Sequence, residues 1–101
     1  MAIIRKQALA ERDLKAIWHY TFHMWGDKQA DVYLDELGKA FELLAEQPYL
    51  GRERREFVPV VRTFSHAHHL IVYQVIKNGI QIIRVLHKGM DVDTIFSATF
   101  L

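Results

Sequence analysis

The spacing of apolar residues changes once along this chain, at Pro48, and that change constrains the fold more than any other feature. Before it, Leu14, Ile17, Trp18, Thr21 through its methyl, and Trp25 recur every three or four positions, with Phe22 widening the stripe. This is one face of a helix from Ala10 to Trp25. Trp25-Gly26-Asp27 reads as a stop and a restart: Gly26 can take a left-handed backbone, and the Asp27 carboxylate can accept from the free amides opening a second helix. That helix carries Ala30, Tyr33, Leu34, Leu37, Phe41, Leu44 and Ala45 on one stripe and runs to Gln47, where Pro48 ends it. An antiparallel helical pair is expected, with the aromatic residues Trp18, Phe22, Trp25, Tyr33 and Phe41 in the core.

Beyond Pro48 the pattern belongs to strands. Residues 48–58, with Gly51 and the run Arg52-Glu53-Arg54-Arg55-Glu56, are too polar for a core and read as a surface loop. The segments 60–65, 69–76 and 80–87 are rich in β-branched and aromatic residues, and Asn78-Gly79 marks a tight hairpin between the last two. Residues 3–6 are a candidate fourth strand. The expected fold is therefore α+β: a short N-terminal strand and an antiparallel helical hairpin packed on a three- to four-stranded antiparallel β-sheet, in a single domain over residues 1–101. If Asn78 and Gly79 form the turn, Val75 faces Ile82, Tyr73 faces Arg84, Ile71 faces Leu86 and Leu70 faces His87. Both sheet faces are then largely apolar and the helices can cover only one. The reverse face is expected to stay bare, as docking surfaces do.

Composition narrows the chemistry. With 101 residues, half of them hydrophobic, the chain suits one buried core, and with no cysteine it has neither disulfides nor a thiolate metal site. The net charge of +1 excludes a strongly cationic nucleic-acid binder, although residues 1–47 carry −2 and residues 48–101 carry +3. The segment Met1 to Lys6 lacks the apolar run of a signal peptide, and no stretch is long enough to span a bilayer. A cytoplasmic protein without a membrane partner is expected. No Gly-rich phosphate loop or nucleophile motif is visible, and His66, His68 and His69 share a strand face only if Ala67 is extended, so no cofactor or metal is expected. The remaining candidate chemistry is RNA phosphodiester cleavage, with His87, Lys88, Arg62 and Arg84 supplying proton transfer and phosphate contacts. Against it, Arg84 reads as a stacking partner of Tyr73 across the strands, and His87 as a strand-end residue bonded to backbone.

Several motifs, taken together and in order, resemble the ParE branch of the RelE/ParE superfamily, the toxins of type II toxin–antitoxin modules. The first helix has Ala10-Glu11-Arg12-Asp13-Leu14, Ile17, Tyr20 and Trp25-Gly26. The second has Gln29-Ala30, Tyr33-Leu34, Leu37 and Leu44-Ala45, followed by Pro48 and Leu50-Gly51-Arg52. The strands have Val61-Arg62, His69-Leu70-Ile71-Val72-Tyr73 and the ending Arg84-Val85-Leu86-His87-Lys88-Gly89-Met90-Asp91, which is the most specific part. Where members often open the first helix with a Ser-Pro-like pair, this chain has Gln7-Ala8. The resemblance implies a DNA gyrase poison that acts without covalent chemistry, supports plasmid stabilisation through growth inhibition, and forms a hetero-oligomer with a ParD-like antitoxin. Its expected partner contacts are Arg52, Arg54, Arg55, Arg62, Tyr73, Arg84, His87 and Met90, with an acidic or amphipathic antitoxin tail folding onto the bare sheet face. Nucleic acid would be met only through gyrase or a ribosome. The same superfamily contains RelE-like ribosome-dependent mRNA endonucleases, for which His87, Lys88, Arg62 and Arg84 would be catalytic; here no Tyr follows Tyr73, and the tail 92–101 is apolar with Thr and Ser. A member retained only to bind its antitoxin would look the same in sequence.

Overall fold

The computed structural model describes residues 2–90. In chain order these form β1 (Ile3–Lys6), α1 (Ala8–Trp25), α2 (Asp27–Glu46), β2 (Arg52–Arg54), β3 (Val61–His66), β4 (His69–Ile76) and β5 (Gly79–His87). The helices pack on one another and on a five-stranded sheet of order β1-β5-β4-β3-β2, so the α+β class holds. The C-terminal tail and Asp91 of the ending motif lie outside the described residues.

Two features of the sheet depart from the all-antiparallel expectation. β1 runs parallel to β5, with Ile3 opposite Gly79 and Lys6 opposite Ile82, so the sheet is mixed. These are the first and last strands, and a long connection leaves their relative direction free in a way a tight hairpin does not. β2 is a fifth strand in the segment expected to be loop, with Arg52 opposite Thr63 and Arg54 opposite Val61. Its placement follows from Tyr73, which is fully buried on β4 and reaches into the α2–β2 connection. The Tyr73 hydroxyl donates to the Pro48 carbonyl at 2.7 Å and accepts from the Gly51 amide at 2.8 Å. A Cβ on Gly51 would overlap the Tyr73 ring, so glycine is needed for this approach.

The β4–β5 register also differs from expectation. The turn is Lys77-Asn78, with Asn78 at φ 65° and Ile76 opposite Gly79. Gly79 is already in the strand, where a Cβ would run into the Ile3 carbonyl; the residue is spared a side chain to admit β1. A register shift at Val72/Tyr73 then leaves Tyr73 opposite Ile82 but Val72 opposite Arg84, so Ile83 is the extra residue of a β-bulge. Tyr73 and Arg84 are consequently not a cross-strand stacking pair, and His87 faces His69 instead of Leu70.

The bulge redistributes the side chains. Ile71, Tyr73, Ile80, Ile82 and Val85 join Ala10, Ile17, Leu37, Phe41 and Leu44 in the core beneath the helices. Val72, Ile83 and Leu86 turn the other way and pack with Phe57 and Val61, while Leu70 is half-buried against them. Val72 and Ile83 are 0% exposed and Leu86 1%, so the reverse face is not the bare patch that simple alternation predicts. Phe57, carried over by the β2–β3 loop, is one of the residues that close it.

The helices start and stop for local reasons. α1 begins at Ala8 without a side-chain cap, but the Gln7 amide donates to the Ile82 carbonyl at 3.0 Å, which fixes the approach of the chain. Gly26 has φ 93° and an extended ψ, so it supplies a positive φ but no left-handed helical turn, and Asp27 accepts from the Lys28 amide at 2.7 Å. The aromatic stripe is mostly peripheral: Phe41 is buried, Trp18 and Tyr33 are half-buried, and Phe22 and Trp25 are exposed. Trp18 stacks on Phe22 and donates through Nε1 to Asp31 at 2.9 Å, joining the helices at their outer edge.

Tyr73→Phe should lower the unfolding free energy by about 1–3 kcal/mol, because the Pro48 carbonyl and Gly51 amide both lose their partner. Equilibrium urea unfolding measures this, and an unchanged midpoint would contradict the staple.

Candidate functional site

Three polar constellations are built on this frame. The first joins α1 to the bulge. The Asp13 carboxylate accepts from Arg84 Nε at 2.7 Å and from Arg84 Nη2 at 3.0 Å, and the same Oδ2 accepts from the Val85 amide at 3.0 Å. β1 pairs with β5 only as far as Ile82, so Asp13 satisfies a backbone donor that no strand covers. Both side chains are mostly buried, at 17% and 16% exposure, and the two-point geometry is that of a strong charge-assisted pair. The Asp13 hydrogen bond holds Arg84 above the ordinary arginine pKa.

The second constellation centres on Arg62. Its Nη1 donates to the carbonyls of Gly51 at 2.8 Å and Tyr49 at 3.3 Å, its Nη2 donates to Glu53 at 3.2 Å, and the guanidinium lies 5.0 Å from the Tyr49 ring centroid. With Tyr73 it clamps the connection from α2 to β2. Glu53 also accepts from Arg55, which is the main reason its carboxyl titrates below the usual range, and Arg54 pairs with Glu56 at 2.7 Å with the same effect.

The third is a histidine corner at the opposite end of the sheet. His66 faces His69 across β3 and β4, and His69 faces His87 across β4 and β5, the latter rings 5.7 Å apart. Tyr33 on α2 reaches down between them, its hydroxyl 2.6 Å from His69 Nδ1 and its ring 6.0 Å from that of His66. Burial raises the Tyr33 pKa, and which of the hydroxyl and His69 Nδ1 donates is set by the imidazole tautomer. Burial first, then repulsion by His87, His68 and His66, pulls His69 down to about 4, with Asp13 opposing weakly. His66 Nε2 lies 3.7 Å from Glu36, close enough for an ion pair but too far for a hydrogen bond. The Lys88 amide donates to the His68 carbonyl at 3.0 Å, tying the end of β5 to the β3–β4 turn, and the Gly89 amide donates to His87 Nδ1 at 3.1 Å.

The residues selected from sequence are thus divided among separate places. Arg62, Tyr73 and Arg84 act within the fold. Arg52 and Arg55 are exposed on and beside the edge strand, Arg54 is half-buried against Phe57, and His87, Lys88 and Met90 are exposed at the far end. Arg62 and His87 are separated by four residues along the strand direction, about 13 Å, and by two strand spacings across the sheet. The sequence does not single out Glu36, and it marks Asp13, Tyr33 and His69 only as helix-motif, core-stripe and turn residues, without a site role. The His69–His87 pairing would have revealed the corner, but it is visible only once both the turn position and the bulge are counted. No group of three or more His, Asp or Glu among the described residues could hold a metal ion.

Comparisons with known proteins agree on one family. The family model described as the ParE toxin of type II toxin–antitoxin systems, parDE, matches residues 4–92. Toxin ParE1 of Mycobacterium tuberculosis (strain CDC 1551 / Oshkosh) is 41% identical over 85 residues, covering 83% of this chain and 87% of that protein. Toxin ParE1 of Caulobacter vibrioides is 35% identical over 82 residues, covering 81% and 84%. In fold, the chain is similar to a structure titled as the chromosomal ParDE TA system from P. aeruginosa, with a TM-score of 0.71 and 24% identity over 86% of this chain and 96% of that one.

The corner also sets a pH dependence of stability. His69 is about 4 in the folded chain and near 6.5 when unfolded, so protons bind the unfolded state first. Its contribution is complete above about pH 6.5 and is lost as pH falls towards 4, about 1–2 kcal/mol after allowance for solvent screening. Urea unfolding between about pH 7 and 5 should show this slope in the native chain and a flatter one in His69→Gln; equal slopes would contradict the assignment.

Proposed function

Because the chain belongs to the ParE toxin family of type II toxin–antitoxin systems, we propose that it acts by binding DNA gyrase in the cytoplasm and stabilising the cleaved-DNA intermediate, without chemistry of its own. The observation that carries the non-catalytic reading is the fate of its two best phosphate-binding candidates. Arg62 is directed to Glu53 and two carbonyls and Arg84 to Asp13, so both guanidiniums are engaged within the fold. RNA cleavage requires base, acid and cation within reach of one phosphodiester. Arg62 lies four residues along and two strands across from His87, and Arg84, though on the same strand as His87, is held by Asp13, which supports a binding protein over a nuclease. No helix among the described residues is long and apolar enough to cross a membrane, in keeping with a cytoplasmic target.

The antitoxin is a ParD-like protein. Since the reverse sheet face is filled by this chain's own side chains, an antitoxin segment cannot gain its affinity by covering a bare patch there. The contacts left to it among the proposed residues are the exposed cations Arg52 and Arg55 at the β2 edge, with Arg54 behind them, and His87 and Met90 at the other end. An acidic segment lying along the β2 edge would pair these guanidiniums, competing with Glu53 for Arg55.

Purified protein added to gyrase, ATP and supercoiled plasmid should accumulate linear DNA, whereas translating ribosomes supplied with it should leave mRNA intact. Normal supercoiling without linear product, or ribosome-dependent transcript cleavage, would overturn the reading. Charge reversal at Arg52 and Arg55 together should weaken antitoxin binding about tenfold or more, largely through slower association. Surface plasmon resonance measures this, and unchanged kinetics would move the interface away from β2.

A further inference from the structure

The histidine corner has no chemical role in the proposed function, and its make-up points to a ligand. The β3–β4 turn places His68 between His66 and His69, and the bond from the Lys88 amide to the His68 carbonyl brings the end of β5 against that turn. His68, His87 and Lys88 are therefore exposed neighbours at one corner of the sheet, backed by the half-buried imidazoles of His66 and His69. The Gly89 amide occupies His87 Nδ1, so the neutral ring carries its proton on Nε2, which remains available as a donor.

Among the described residues, few negative groups face this concentration of bases. From α1 comes Asp13, whose oxygens are taken by Arg84 and the Val85 amide. From α2 come the Tyr33 hydroxyl, bonded to His69, and Glu36, 3.7 Å from His66. With neutral imidazoles the corner holds little net charge. As the rings gain protons, like charges come to sit directly opposite one another on adjacent strands, which is unfavourable unless an anion joins them.

We propose that His68, His87 and Lys88 form a binding site for a phosphate group, inorganic or in a nucleic-acid backbone, and that the site takes up protons as the anion binds. Lys88 supplies a permanent charge, and the two exposed imidazoles supply donors whose charge is switched on by the ligand in the range where histidine titrates. Binding should therefore strengthen as pH falls from about 8 to about 6. The site stands apart from the gyrase reading, since it needs only this chain and an anion.

The test is an NMR titration of the histidine Cε1–H signals in the full chain, with sodium phosphate, and separately sulfate, replacing chloride at matched ionic strength. The His68 and His87 curves should move to higher pH by about half a unit or more, while His19 and His23 on α1 serve as internal controls and stay in place. His68→Gln combined with Lys88→Ala should abolish the movement of the His87 curve. Unmoved curves, or equal movement at His19 and His23, would overturn the site. A short DNA duplex distinguishes the sources: binding about tenfold tighter at about pH 6 than at about pH 8, lost in the double variant, assigns the site to backbone phosphate. Movement with phosphate and no such duplex binding assigns it to the free anion, and absence of both results rejects the proposal.

Discussion

The bulge at Ile83, held by Asp13, is the constraint on which the rest of the structure depends. A strand obeying strict alternation would place Val85 and Leu86 on the faces opposite to those they occupy, and both cores would lose a large side chain. The irregularity leaves the Val85 amide without a strand partner, and Asp13 supplies one while gripping Arg84 from α1. A single carboxylate thus joins the helical layer to the sheet at the point where the register changes. Downstream of that point, the shift also brings His87 opposite His69 and creates the histidine corner.

A second set of interactions, at the other edge, performs a comparable task with different chemistry. Tyr73 and Arg62 together satisfy the backbone of the α2–β2 connection, and that connection delivers β2 to the sheet. In both places an arginine that could have served an external phosphate is directed inward to a carboxylate. The guanidinium fork suits this use as well as it suits recognition, because it matches paired acceptors in either setting. The functional consequence is a toxin fold in which Arg62 and Arg84 organise the backbone, leaving Arg52 and Arg55 at the β2 edge and Lys88 at the histidine corner among the exposed cations of that half of the chain.

The helices were legible in the sequence because their apolar spacing is regular and Gly26 and Pro48 interrupt it sharply. The presence of a hairpin was equally legible from Asn78-Gly79, but its register was not. Glycine there signals a close strand approach as well as a turn, and only the position of β1 distinguishes the two. The turn one residue earlier moves every pairing by two, and the bulge, which has no composition of its own in a run of Ile, Val and Leu, then moves those beyond Tyr73 back by one, so every pairing was misplaced. That error hid the His69–His87 contact and made Arg84 look like a partner of Tyr73. β2 was hidden for another reason: Arg52-Glu53-Arg54 carries no strand pattern, and the residues that align it, Tyr73 and Arg62, lie far along the chain. The aromatic stripe was overrated as core because helical spacing identifies a face without specifying how much of it the sheet can cover.

The central claim, that Arg84 is structural and acts through Asp13, is tested most directly by a double-mutant cycle on unfolding free energy with Asp13→Ala, Arg84→Ala and the pair. A half-buried, two-point ion pair predicts a coupling of about 1–3 kcal/mol between the substitutions. Additive losses would contradict the account and return Arg84 to the residues available for an external ligand.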